Sequence, residues 1–405
     1  MQPIRVLVVD DTVVVRRLVA DVLSGLPDIE VVGTAAHGRL ALTQIPLLAP
    51  DVVTLDIEMP VMDGLETLTE IRARWPKLPV IMFSTLTSAG AGATLDALAL
   101  GANDYVTKPT ANRDRAAAMD AVRAALVPLI RLWGRPRRPE DDVAAPRTVL
   151  PRPAAPAAPG AAPGAAPPAD GAAPSSSAFA AAGHDRPRPP ALGVVIGVST
   201  GGPQALSRII PRLPRDLRVP VVIVQHMPPV FTKFLAERLD TTSAVPVVEA
   251  EDGMPALPGR VHIAAGGVHL RLETVRGEVV LRFDDGPMEN SCKPAVDVTL
   301  RSAQRVWGNR ALTVILTGMG SDGLLGAQAL HAAGGRVIAQ DAETSVVWGM
   351  PGAVVKNGVA DAVLPLDDIA AALLAAVDGT SHRTHGVPLA SSGTHTSALP
   401  GLGAR

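Results

Sequence analysis

One cysteine, Cys292, is present in 405 residues, so no intramolecular disulfide can staple the chain. A single thiol fits a reducing compartment, and its ordinary role is that of a small buried hydrophobe. Excess charge is lacking too: 37 Lys and Arg against 39 Asp and Glu leave a formal net charge of -2. Such a balance invites neither nucleic acid nor an anionic membrane. No apolar run reaches the roughly 20 residues that cross a bilayer, so direct membrane insertion is not expected. The opening MQPIRVLVVDD turns acidic too soon for a secretory signal. The expectation is a soluble, cytoplasmic protein, long enough to need at least two domains.

What is present is two blocks of alternating strand and helix patterns. Residues 1–127 contain IRVLVV, IEVVGT, DVVTL, PVIMF and DYVT, separated by amphipathic segments such as VVRRLVADVL and LETLTEIRA. That alternation predicts a parallel sheet wound with helices on both faces. Residues 135–191 are dominated by Pro, Ala and Arg without helix or strand period, which reads as a disordered linker. A second alternation over 192–378 has candidate strands GVVIGV, VPVVIVQ, RVHIAA, EVVLRF, ALTVILTG, RVIAQ and VADAVL. The fold class is thus α/β, with two doubly wound parallel sheets, flavodoxin-like and then Rossmann-like. Residues 379–405 read as a disordered tail, in which His382, His385 and His395 lack the spacing and carboxylate partner of a metal site.

In a wound parallel sheet all strands end at one edge, where ligands bind. In the first block that edge collects Asp10 and Asp11 after IRVLVV, Asp56 after DVVTL, Ser84 after PVIMF and Lys108 after DYVT. Three converging carboxylates repel one another unless a cation is held. Mg²⁺ would relieve that repulsion and leave Asp56 free to attack phosphorus. Through VVDD at 8–11, TLDIEMPVMDG at 54–64 and GANDYVTKP at 101–109, the block resembles the receiver domain of two-component response regulators. The resemblance implies that Asp56 accepts a phosphoryl group and that Asp10 and Asp11 hold Mg²⁺ with the backbone carbonyl of Glu58. It further implies that Ser84 and Lys108 sense the phosphate and that Tyr105 is an aromatic switch.

In the second block the same edge collects Ser199 after GVVIGV, His226 after VPVVIVQ and Asp322 after ALTVILTG. Serine, histidine and aspartate meeting there form the set that acyl transfer needs: nucleophile, base and orienting carboxylate. Residues 197–201, GVSTG, also satisfy G-x-S-x-G, although the chain order Ser, His, Asp is not that of the α/β-hydrolases. Taken alone, Ser199 fits a structural or phosphate-cradling turn better than a nucleophile, but the Lys of a P-loop and the spacing of a dinucleotide fingerprint are lacking. His262, His269 and His331 sit in or beside strand and helix patterns, as satisfied or exposed histidines do. A response regulator with a binding output is the competing class, and no helix-turn-helix signal supports its commonest form, DNA binding.

The runs GVSTGGP, QHMPPVFTKFLAERL, SCKPAVDVTLRSA, LTGMGSDG and QDAETSVVWGMP make residues 192–377 similar to the catalytic domain of chemotaxis protein-glutamate methylesterase/glutaminases. The resemblance implies demethylation of glutamyl methyl esters and deamidation of glutamines in methyl-accepting chemoreceptors, switched on by phosphoryl transfer from a chemotaxis histidine kinase. It makes Ser199 the nucleophile, His226 the base and Asp322 the orienting carboxylate, with no cofactor in this domain. Thr200 and Met319 are then candidate neighbours of the reacting atoms, and the Thr200 N–H an oxyanion donor. Lys293 and Arg301 fit either an anionic receptor surface or a solvated helix face. The Pro/Ala tether is longer than the family pattern leads one to expect. It lowers the effective concentration of the receiver at the active site, so weaker autoinhibition is expected.

Overall fold

The structure, a computed structural model, describes residues 2–109, 115–134 and 189–379. The first domain runs β1 (Ile4–Val9), α1 (Val13–Leu23), β2 (Ile29–Ala35), α2 (Gly38–Leu48), β3 (Val52–Asp56), α3 (Gly64–Arg74), β4 (Val80–Ser84), α4 (Ser88–Ala99), β5 (Asp104–Thr107) and α5 (Arg115–Trp133). Its sheet has the order β2-β1-β3-β4-β5, and every pairing is parallel. Strand order reverses between β1 and β3, so the crevice at that switch opens between Asp10 and Asp56. Every residue of β3 and of β4 is buried, as a strand covered by helices on both faces must be. The last helix continues to Trp133, beyond the expected boundary at 127.

The second domain follows as β6 (Gly193–Val198), α6 (Gly202–Ile209), β7 (Val221–Gln225), α7 (Phe231–Thr242), β8 (Val247–Glu249), β9 (Val261–Ile263), β10 (His269–Val275), β11 (Glu278–Asp284), α8 (Val296–Trp307), β12 (Ala311–Ile315), α9 (Leu324–Ala332), β13 (Arg336–Gln340), α10 (Met350–Lys356), β14 (Ala362–Leu364) and α11 (Leu366–Asp378). Its parallel sheet has the order β14-β13-β12-β6-β7-β9-β8. The chain starts at the centre, builds outward through β7 and then returns to build the other side from β12. The switch point therefore lies around β6, between the ends that carry Ser199 and Asp322.

One sequence expectation fails here. EVVLRF does not join the parallel sheet; it forms β11, paired antiparallel with β10 in a separate hairpin. The reason lies in patterning. In β10, exposed Arg271 and Glu273 alternate with buried Leu270 and Leu272, as in a hairpin with one wet face, whereas β6, β7 and β12 are buried at every position. Most of the linker (135–188) and nearly all of the tail, with His382, His385 and His395, lie outside the described residues. The last linker residues, 189–191, are already part of the second domain, since the Ala191 N–H donates to the Ala376 carbonyl at 3.1 Å.

The two sheets belong to one compact unit. Helix α4 packs on α6 and α7, and buried Leu95 and Leu98 share an apolar cluster with Phe231 and Leu235. The Tyr105 ring stacks on Phe231 with centroids 5.1 Å apart. Polar contacts frame this packing: Arg238 pairs with Asp96 at 2.5 Å, and Gln204 donates to the Ala102 carbonyl at 3.3 Å. On the other face of the second sheet, α8 lies against β6 and β12 beneath the β10-β11 hairpin, burying Val296, Leu300, Ala303 and Trp307. Gly197 in β6 makes this possible, because a Cβ there would run into Val296 and Ile315. Gly197→Ala is expected to destabilise the second domain by about 1–3 kcal/mol, the usual cost of overpacking. Urea denaturation of the full chain checks this, and an unchanged midpoint would show that α8 has room to shift.

Candidate active site

At the receiver edge the structure brings together the residues named from sequence. Oxygens of Asp10, Asp11 and Asp56 lie within 4.8 Å of one another. Lys108 Nζ reaches Asp10 Oδ2 at 2.8 Å and Asp56 Oδ2 at 2.7 Å, and apart from that ammonium no donor among the described residues reaches either oxygen. Burial, followed by the repulsion of Asp10, outweighs the pull of Lys108 and pushes the Asp56 carboxyl up to about 6. Hard oxygens, mutual repulsion and unsatisfied buried carboxylates are what a hexacoordinate Mg²⁺ would satisfy, so these residues fit the ion. Glu58 is exposed just past β3. The Ser84 hydroxyl is turned towards α4, donating to the Gly90 carbonyl at 3.1 Å and accepting from Thr94 Oγ1 at 2.7 Å.

In the second domain β6 and β7 run parallel with Val198 opposite Gln225, and the His226 N–H donates to the Val198 carbonyl at 3.1 Å. Ser199 and His226 are therefore the next residues on strands spaced about 4.8 Å apart. Gly201, with φ 78°, turns the chain from β6 into α6. A side chain there would occupy an unfavourable left-handed conformation and strike Val346. Gly318 lets the β12 loop approach, since a Cβ on it would lie 2.8 Å from that of Ser199. Ser199, Thr200, His226, Cys292 and Met319 line one cleft of about 540 Å³.

The imidazole is held from both sides. His226 Nε2 lies 2.7 Å from Asp322 Oδ2, and Nδ1 lies 3.4 Å from Cys292 Sγ. Asp322 is itself anchored: Oδ2 also accepts from the Val296 N–H at 2.6 Å, and Oδ1 accepts from Asn290 Nδ2, the Asp297 N–H and the Gly323 N–H. Burial would raise the Asp322 pKa, but the hydrogen bond and charge of His226 and these amides outweigh it, holding the group below the usual carboxylate range. For His226, burial acts to lower the pKa and is outweighed by Asp322 and Cys292, which bring it up to about 9. With Nε2–H given to the carboxylate, the neutral ring carries its lone pair on Nδ1, on the side of the Cys292 thiol.

Cys292, Asn290 and Asp297 were not legible as site residues. Cys292 is half-buried on the imidazole rather than a core hydrophobe. Residues 289–292 make a tight turn closed by reciprocal Glu289–Cys292 backbone bonds, with Asn290 and Ser291 at φ 54° and 61°. That turn aims one side chain at Asp322 and another at His226; the polar run ENSCK before α8 was its only trace in sequence. Arg301 and Lys293 are not free cations: Arg301 forms a bidentate pair with Glu289, and Lys293 pairs with Asp285. His269 is satisfied by Pro287 and Ala295, and His331 is partly exposed. His262 is fully buried, and burial, followed by the charge of Arg260, lowers its pKa to about 4 against a backbone contact at Leu257.

Comparison with known proteins matches residues 194–373 to the CheB methylesterase family and residues 6–120 to the response regulator receiver domain. A protein-glutamate methylesterase/protein-glutamine glutaminase of a Nocardioides species is 48% identical over 378 residues, covering 92% of this chain and 95% of its own. One from Trichodesmium erythraeum is 44% identical, covering 91% and 98%. Among solved structures, the Thermotoga maritima CheB methylesterase catalytic domain is 50% identical, covers 45% of this chain and 97% of its own, and gives a TM-score of 0.45.

Because Cys292 contributes to the raised His226 pKa, Cys292→Ala should bring the titration of that ring down from about 9 towards 6.5. The imidazole carbon resonances of histidine-labelled protein report it, and an unmoved midpoint would show that the thiol does not weigh on the base.

Proposed function

The chain belongs to the CheB methylesterase family, as a protein-glutamate methylesterase and protein-glutamine glutaminase with a receiver domain, and we propose that its hydrolysis runs through Ser199, His226 and Asp322. The observation that supports this reading is the anchored imidazole: Asp322 holds Nε2 at 2.7 Å, and His226 and Ser199 line the same cleft.

Ser199 Oγ attacks the side-chain carbonyl carbon of a glutamyl methyl ester as its proton passes to His226 Nδ1. Asp322 stabilises the imidazolium so formed, and the Thr200 N–H supports the tetrahedral oxyanion. Collapse expels methanol, which leaves with the proton from His226. Water, deprotonated by the same nitrogen, then cleaves the acyl-serine to glutamate. A glutamine reacts by the same route and releases ammonia. Substrates are glutamyl and glutaminyl side chains of methyl-accepting chemoreceptors, and the reaction serves adaptation in chemotaxis.

Control belongs to the receiver. Asp56 accepts a phosphoryl group from a histidine kinase, and Asp10, Asp11 and Asp56, with the Glu58 carbonyl, would hold Mg²⁺, whose charge would neutralise the converging oxygens. The phosphoryl group draws Lys108 and the Ser84 hydroxyl, and releasing Ser84 from Gly90 and Thr94 loosens the start of α4. That helix bears on α6 and α7, and Asn103, Asp104 and Tyr105 of the receiver line the cleft beside Ser199 and Thr200. Docked in this way, the receiver restricts access despite its long tether, and phosphorylation weakens the restriction.

Methanol release from a methylated receptor fragment tests both halves. Ser199→Ala should lose at least about a thousandfold in rate, as removal of a triad nucleophile does. A small phosphodonor with Mg²⁺ should stimulate the parent protein but not Asp56→Asn. The rate of the parent should rise from pH 7 towards 9, since His226 accepts a proton only once its raised pKa is passed. Full activity in Ser199→Ala would reject the assignment.

A further inference from the structure

Asp297 is a second buried carboxylate behind the first, and the mechanism does not use it. It lies in the first turn of α8 and is 1% exposed. Its Oδ1 accepts from the Gly326 N–H of α9 at 2.6 Å, while Oδ2 accepts from Asn290 Nδ2 at 3.0 Å. The same Asn290 nitrogen donates to Asp322 Oδ1 at 2.8 Å, and the Asp297 N–H reaches that oxygen at 3.1 Å. One amide thus bridges two buried carboxylates, the nearer of which holds the base.

Such an arrangement is costly if its purpose is only to tie α8 to α9. Asn or Ser would accept from the Gly326 N–H without placing a second negative charge against Asp322. The charge becomes favourable when a positive group stands on the far side of Asp322, and the His226 imidazolium is that group. Arg301 is the other cation that acts on both Asp297 and Asp322, but its guanidinium is itself committed to Glu289. Glu289 adds negative charge but is closed by Arg301 in a bidentate pair, and Cys292 faces His226 from the opposite side.

We propose that Asp297, bridged by Asn290, is a positioning residue that orients Asp322 and adds a second negative charge to stabilise the His226 imidazolium. This deepens the Ser199–His226–Asp322 reading and rests on it. Burial, then the competing Gly326 amide and the repulsion of Asp322, put the Asp297 pKa at about 6, so it is ionised throughout the range in which His226 gains and loses its proton. Below that value it becomes neutral and its support is withdrawn.

Asp297→Asn keeps the acceptor for Gly326 and removes the charge. In the full-length variant the midpoint of the pH–rate profile should move to lower pH by about one unit. The alkaline plateau of kcat should fall about tenfold with KM unchanged, because an imidazolium less stabilised in the transition state costs rate but not binding. A purely structural role would lower the amount of folded enzyme without moving the midpoint. The parent protein gives a second readout that needs no variant: the His226 ring resonance should show a minor inflection near the Asp297 pKa of about 6, besides its own near 9. A single inflection, or an Asp297→Asn midpoint that overlays the parent, overturns the proposal. Failure of the serine reading is distinguishable, because the resonance would then still carry both inflections while Ser199→Ala kept its esterase activity.

Discussion

Asp322 accepts five hydrogen bonds inside the second domain, and the site depends on that saturation. Three backbone amides (Val296, Asp297 and Gly323), the Asn290 side chain and His226 Nε2 converge on its two oxygens. A buried carboxylate so supplied stays ionised and cannot rotate, and the ring attached to it gains a fixed orientation and a raised pKa. Two of the amides belong to the start of α8, so the helix that seals the sheet also fixes the carboxylate. The tight seat of α8 on Gly197 therefore has a chemical consequence as well as a packing one.

The receiver and the hydrolase use the same architectural device for different chemistry. Each is a parallel sheet whose strand order reverses at one point, and each places its candidate reactive side chain at the strand ends beside that reversal. In the receiver the converging groups are mutually repelling carboxylates restrained by Lys108, which suits a site that binds a cation and an incoming phosphoryl group. In the hydrolase one carboxylate is fully hydrogen-bonded and faces an imidazole, which suits proton transfer. The apolar cluster shared between α4 and α7 and the Tyr105–Phe231 stack set the α4–β5 face of the receiver against the second domain.

The parallel strands and the residues at their ends could be read from sequence because both follow from local pattern. Continuous apolar runs ending in Asp10, Asp56, Ser199 and His226 need only the rule that parallel strands share an edge. The EVVLRF strand was misassigned although the alternation of its partner, HLRLETV, distinguishes a half-exposed hairpin from a buried parallel strand. Asn290, Cys292 and Asp297 depended on more. Their placement arises from a turn with two left-handed residues and from the docking of α8 over β6 and β12, neither of which is encoded by periodicity. Cys292 in particular has the composition of a core residue, and only the fold puts it on the His226 imidazole.

The most direct test of the anchored imidazole is the rate at which a fluorophosphonate phosphonylates the full-length protein, with the modified residue mapped by tandem mass spectrometry, in the parent and in Asp322→Asn. The account predicts an adduct on Ser199 in the parent, formed about a thousandfold or more faster than in the variant, whose ring is no longer held by a carboxylate. Equal rates in the two proteins, or an adduct on Cys292 in place of Ser199, would contradict it.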